Sequence, residues 1–205
     1  MARREDRKKK IARQRQEQIL EAGLRVFSRC GFDGATIPDI AREAGVAVGT
    51  IYNYYSSKRE LFVAAIARFI IEPFAAVIRQ TPKAVDASFI STIIEDRLNV
   101  GLDNISHFLP LLGEIQRDPE LRQRYTRQVM QPIMAMMEKH YASRIEEGVF
   151  RDVNLPIIIR AIGGMIIGFM LLYGIEGEES PIRGLDRKKL AKELTELVLK
   201  GLQNK

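Results

Sequence analysis

Apolar residues recur at helical spacing along almost the whole chain, and no sustained strand-type alternation interrupts them. Between about residues 7 and 30, Ile11, Ile19, Ala22, Leu24, Val26 and Phe27 form one helical stripe, and Gly31 stands where it should stop. After a short segment at 32–35, Thr36 is placed to cap a short helix that tolerates Pro38 in its first turn. Ile40, Ala41 and Ala44 give that helix its inner side, and Gly45 ends it. A second short helix is expected over about 48–54, broken by Ser56-Ser57. Ser57 then caps the next helix, with Glu60 completing a capping box. Long helices follow at about 58–79, 85–103, 104–117, 119–147, 154–175 and 186–203, and Pro73, Pro110 and Pro132 should kink or shorten them. Connections fall at Asp118-Pro119, at Gly148 and over the polar stretch 176–184. The expected fold class is all-α, with about nine helices: a three-helix head over 1–60 and a larger helical body over 61–205.

The two short helices flank the turn Ala44-Gly45-Val46, where a tight reversal needs a residue free to take positive φ. Ile40, Ala41, Val46, Ile51 and Tyr55 fall where a three-helix head buries side chains, and Ala41 is small enough for close crossing. The second short helix then turns Ala47, Val48, Thr50, Asn53 and Tyr54 outward. That face carries no charge. Its hydroxyls, amide and small apolar groups suit base edges, thymine methyls and phosphates.

Charge sharpens the picture once it is located. The net charge is +6, and residues 1–15 hold eight bases (Arg3, Arg4, Arg7, Lys8, Lys9, Lys10, Arg13, Arg15) against two acids, Glu5 and Asp6, which accounts for all of it. Such a segment reads as an arm for a polyanion, DNA ahead of an anionic membrane, or as a solvated tail. It either reaches a minor groove or extends the first helix. Cys30 is the single cysteine, which excludes an intrachain disulfide and fits a reducing, cytoplasmic compartment. Two histidines and no dense acidic cluster argue against a metal site, and no cofactor is expected. Without a nucleophile motif or a phosphate-binding glycine loop, an enzyme is the weaker class.

Thr36, Ile40-Ala41, Ala44-Gly45-Val46, Gly49-Thr50-Ile51-Tyr52, Tyr55, Lys58 and Leu61 together resemble the N-terminal domain of the TetR/AcrR family of transcriptional regulators, in order and in spacing, over roughly residues 13–62. The resemblance implies a DNA-binding helix-turn-helix over 1–60 and a ligand-binding and dimerisation domain over 61–205. It implies that Thr36 caps the first motif helix and contacts a phosphate. Thr50 and Tyr52 would bind backbone and a base, and Lys58 would clamp a phosphate. Val48, Gly49, Asn53 and Tyr54 would face the major groove. Two departures stand out. Ala47 replaces a common serine and loses a possible cap, and Tyr55 replaces a usual phenylalanine. The implied function is a ligand-responsive repressor that binds a near-palindromic operator in double-stranded DNA as a homodimer.

The body offers weaker signals. Phe69, Phe89, Phe108, Met130, Met134, Met137, Tyr141, Phe169 and Tyr173, with His107, read either as a pocket for a lipophilic small-molecule effector or as ordinary core. For His107 the bland reading is an interhelical hydrogen bond. Arg97 and Arg160 would meet an anionic ligand head or pair with acids. Leu155–Ile175 is a nearly unbroken apolar run of 21 residues, long enough to span a bilayer. Against a span stands Arg160, at about 2.5–3.5 kcal/mol if deeply placed. Gly163, Gly164, Gly168 and Gly174 suit close helix contact, so the expectation is helix pairing, a dimer and no membrane.

Overall fold

The computed structural model describes residues 2–80, 87–148 and 154–202. The regular elements there are helical: α1 (Ala2–Gly34), α2 (Ile37–Ala44), α3 (Val48–Tyr52), α4 (Lys58–Gln80), α5 (Ala87–Asp103), α6 (Ile105–Arg117), α7 (Pro119–Tyr125), α8 (Gln131–Glu146), α9 (Leu155–Glu176) and α10 (Arg187–Leu202). A π-helical turn over Thr126–Met130 joins α7 to α8, so among the described residues there are nine continuous helical rods. The all-α expectation holds.

Three local differences from the sequence pattern have physical reasons. The basic segment is helical from Ala2, because Lys, Arg and Glu are good helix formers, Glu5 lies in the first turn, and Arg13 pairs with Glu17 at 3.2 Å one turn on. Ile11, assigned above to the buried stripe, is 49% exposed, since it lies on the stretch of α1 that carries exposed bases rather than core. The helix expected over 119–147 carries a π turn over Thr126–Met130. Pro132 has no N–H for the carbonyl of Gln128 and its ring crowds that position, and the widened turn just ahead absorbs the misfit.

By compactness the chain forms two units, Met1–Ile70 with Pro110–Val129, and Ile71–Leu109 with Met130–Lys205. In the first, Ile19, Phe27, Ile40, Ile51, Leu61 and Phe62 are buried almost completely, each contributing about 1.5–3 kcal/mol of apolar burial. Gly31 takes φ 71°, a left-handed value that breaks α1, and Phe32 beyond it is buried. The Phe62 ring meets Phe27 edge-on at 4.9 Å and Phe32 edge-on at 5.2 Å. Tyr55 lies in the same core. Burial pushes its hydroxyl above the ordinary phenol range, with the neighbouring Gln16 side chain acting the other way.

In the second unit α5 lies at the centre, with α9 and α10 packed on it and α8 packed on α9. Phe89, Ile94, Leu98, Tyr141, Ile162, Met170 and Leu194 are among its buried residues. Two glycines permit close approach. A Cβ on Gly101 would lie 2.3 Å from the Met170 side chain, and one on Gly174 would lie 2.6 Å from Leu109. Gly163, Gly164 and Gly168 face open space instead. On α9 the stripe Ile159, Ile162, Ile166 and Met170 is buried, while Ile157, Ile167, Leu171 and Ile175 on other sides of the same helix are exposed, Ile175 at 71%. Lys58–Gln80 and Leu155–Glu179 are each long and apolar enough, by length and composition, to cross a membrane.

Candidate nucleic-acid interface

The α2–α3 pair is built from caps and a single reversal. Thr36, in an extended conformation, accepts the Asp39 N–H at 3.2 Å and donates its hydroxyl to the Asp39 carboxylate at 2.5 Å. Arg42 donates to the other carboxylate oxygen at 3.0 Å. The Thr36 hydroxyl, helped by Arg42, holds Asp39 below the usual carboxylate range. The cap is therefore present, and its one proton is already given within the helix. At the other end Gly45 sits at φ 64°, ψ 37°, and Val46 N–H bonds Ala41 O at 2.9 Å, which reverses the chain between α2 and α3.

α3 has five residues, too few to stand as an isolated helix, and Ile51 anchors it by complete burial. Ala47 precedes it without any side-chain cap. The outer surface carries Ala47, Val48, Gly49, Tyr52 and Asn53, all exposed, with Tyr52 at 54%. A Cβ on Gly49 would meet nothing within 4 Å, so the backbone there is open to close approach from outside. Thr50 and Tyr54 are different. Both are half-buried, and Tyr54 donates its hydroxyl to Ala12 O on α1 at 3.4 Å, so Gly49 and Tyr52 stand on the outward face where the sequence pattern placed Thr50 and Tyr54.

Lys58 faces the protein. Its ammonium donates to Phe32 O at 2.8 Å, Ala35 O at 3.0 Å and Asp33 O at 3.4 Å, and lies 4.4 Å from the centre of the Phe32 ring. All three donors are directed at carbonyls at and just beyond the end of α1, so this geometry makes Lys58 a staple between α1 and α4. Next to it, Ser57 Oγ accepts the Glu60 N–H at 3.2 Å, as a cap should. The Glu60 carboxylate, however, takes both the N–H and the O–H of Ser56, at 2.8 and 2.6 Å, in place of the Ser57 N–H of a regular capping box. Two donors on one residue outbid one. Those bonds hold Glu60 below its ordinary range.

A feature absent from the sequence reading lies beside α3. Lys8, Ile11, Ala12 and Arg15 on α1 face Gly45, Val46, Ala47, Thr50 and Tyr54 across a hollow of about 440 Å³. The signal was the spacing of those four α1 residues, which read as helix only if the basic segment is helical.

The effector-pocket residues divide. Phe89, Met137 and Tyr141 are buried in the core of the second unit, with Met134, Phe169 and Tyr173 packed against it, and burial pushes the Tyr141 hydroxyl upward. Phe69 belongs to the first unit, and Met130 is half-buried at the end of the π turn. His107 and Phe108 lie outside the residues whose side chains are described. Arg97 pairs with Asp96 and lies over the Phe74 ring, whereas Arg160 is exposed and bonds only its own helix, at Pro156 O, among the contacts described.

Residues 19–65 match the family described as bacterial regulatory proteins, tetR family. An uncharacterized HTH-type transcriptional regulator of Bacillus subtilis, YvdT, is 47% identical over 55 residues, so the match spans only 28% of that protein's length and 27% of this chain. The fatty acid degradation regulator FadR from Bacillus halodurans superimposes with a TM-score of 0.76 at 19% identity, covering 91% of this chain and 99% of that one. FadR from Bacillus subtilis in complex with stearoyl-CoA gives a TM-score of 0.70 at 19% identity, over 90% and 98%. At such identities the agreement shows that the body shares their fold.

Lys58→Met keeps an apolar stem on Phe32 while deleting the ammonium. Thermal or urea unfolding should show a loss of about 2 kcal/mol, the scale of hydrogen bonds made by a charged donor. DNA affinity measured well below the transition should change little. A fall in the salt slope of binding by about 0.9 would restore Lys58 as a phosphate ligand.

Proposed function

We propose that this protein is a cytoplasmic repressor that binds a near-palindromic DNA operator as a homodimer and releases it when a lipophilic small molecule enters the body. The observation that carries the reading is the uncharged, exposed α3 surface, set on a capped helix pair beside a helix rich in bases. Val48, Gly49 and Asn53 are the residues for base edges. Tyr52 and Thr50 take backbone and adjoining base, and Thr36 reaches a phosphate by exchanging its bond to Asp39. Two such heads read successive major grooves.

The partner for dimerisation is a second copy on the exposed side of α9, where Ile157, Ile167, Leu171 and Ile175 are apolar and Gly164 leaves room for another helix. The effector reading draws on the stearoyl-CoA in the B. subtilis FadR structure and on the Phe, Met and Tyr cluster in this chain's second unit. An acyl chain that binds one conformation of the body better than the other shifts the dimer away from the spacing that DNA requires.

Gel shifts with a duplex selected from a random-sequence library test the DNA reading. Thr50→Ala with Tyr52→Phe should weaken binding about tenfold or more, at about 1–3 kcal/mol for a lost specific contact, and leave the dimer intact. Unchanged affinity would refute these contact assignments. Ile167→Glu with Leu171→Glu should convert a dimer to a monomer in sedimentation. Flotation of the wild type with liposomes, in place of a dimer, would reassign the α9 face to a membrane. Acyl-CoA at about a hundred times its Kd should add roughly 2.7 kcal/mol of stability, a rise of a few degrees in Tm, and release the duplex.

A further inference from the structure

Lys8, Ile11, Ala12 and Arg15 stand at i, i+3, i+4 and i+7 of α1 and therefore share one face of the helix. That face looks onto the hollow bounded across from it by Val46, Ala47 and Thr50. Of the residues lining the hollow, Lys8 and Arg15 carry charge, and both are positive. Neither is ion-paired to a described residue, whereas Arg13, on another side of α1, is neutralised by Glu17 at 3.2 Å. Two cations thus line one recess with no counter-charge in it. Thr50 adds a hydroxyl from the facing wall. The bond from Tyr54 to Ala12 O ties this stretch of α1 to the end of the α3 segment, beside the α3 surface.

Resting on the DNA-binding reading above, we propose that the recess seats the backbone of the duplex alongside the bases under α3, with Lys8 and Arg15 as ligands of its phosphates. Seven residues of helix separate the two Cα atoms by about 10 Å, so each side chain takes its own phosphate, Arg15 by its fork and Lys8 as a point charge. The basic segment then acts as a helical rail in register with α3, and neither as a loose polyelectrolyte tail nor as a strand in the minor groove. Duplex DNA is the occupant because the recess is continuous with the uncharged α3 surface, and a free anion or a lipid headgroup would use the cations while leaving that surface idle.

The discriminating experiment compares two variants of equal charge. Lys8→Gln/Arg15→Gln removes the recess pair. Lys9→Gln/Lys10→Gln removes the same charge from α1 at about 100° and 200° around the helix from Lys8. Anisotropy titrations with a fluorescein-labelled duplex carrying the selected site, and with a mixed-sequence duplex, give the slope of log K against log salt. The recess pair should lower the slope by about 1.8 per head on both duplexes, a loss of roughly tenfold in salt sensitivity between about 50 and 200 mM. Lys8→Gln alone should lower it by about 0.9. The control pair should move it by less than half as much as the recess pair. Equal effects of the two pairs would overturn the proposal, since net charge and not position would then govern. An unchanged slope in the recess pair, with wild-type binding intact, would overturn it while sparing the DNA-binding reading. Failure of the wild type to bind any duplex, with retention on anionic vesicles, would overturn both.

Discussion

The head depends on how α1 ends. Gly31 breaks the helix by taking a left-handed φ, Phe32 drops into the core, and the carbonyls of Phe32, Asp33 and Ala35 are turned toward the start of α4. Lys58 collects all three with one ammonium and covers the Phe32 ring, whose edge-on contact with Phe62 continues the core along α4. Backbone carbonyls partly withdrawn from water need such a partner, and a cation makes the stronger bond. α2 and α3, at eight and five residues, are too short to persist alone. They lie on a base that this junction sets.

In the second unit the comparable constraint is α9, whose apolar residues exceed what one packed face can bury. Ile159, Ile162, Ile166 and Met170 take the core, while Ile157, Ile167, Leu171 and Ile175 remain outside. A helix apolar on all sides fits a bilayer or the interior of an assembly. Gly174 and Gly101 serve close packing within the unit, whereas Gly163, Gly164 and Gly168 look outward, so the glycines of one helix have two separate uses.

The local signals were the legible ones. Thr36 as a cap and Gly45 as the left-handed end of α2 follow from residue types whose preferences operate over four or five residues, and both stand as read. The bonds that went elsewhere all involve a choice among competing partners. Glu60 chose Ser56, Tyr54 chose Ala12, and Lys58 chose carbonyls some 25 residues upstream. At 119–147 the periodicity gave one helical run, and Pro132 marks the π turn inside it, as a residue without an N–H should.

The sequence by itself therefore determined the helical class, the reversal between α2 and α3 and the likeness of the head to a TetR/AcrR helix-turn-helix, because each rests on short-range backbone preference or on a contiguous motif. Only the tertiary structure decided that Lys8 and Arg15 line one hollow with Thr50, and that Lys58 is turned inward. Those outcomes depend on which groups meet across many intervening residues, and side-chain bonding chooses among partners by distance in space, which no one-dimensional pattern records.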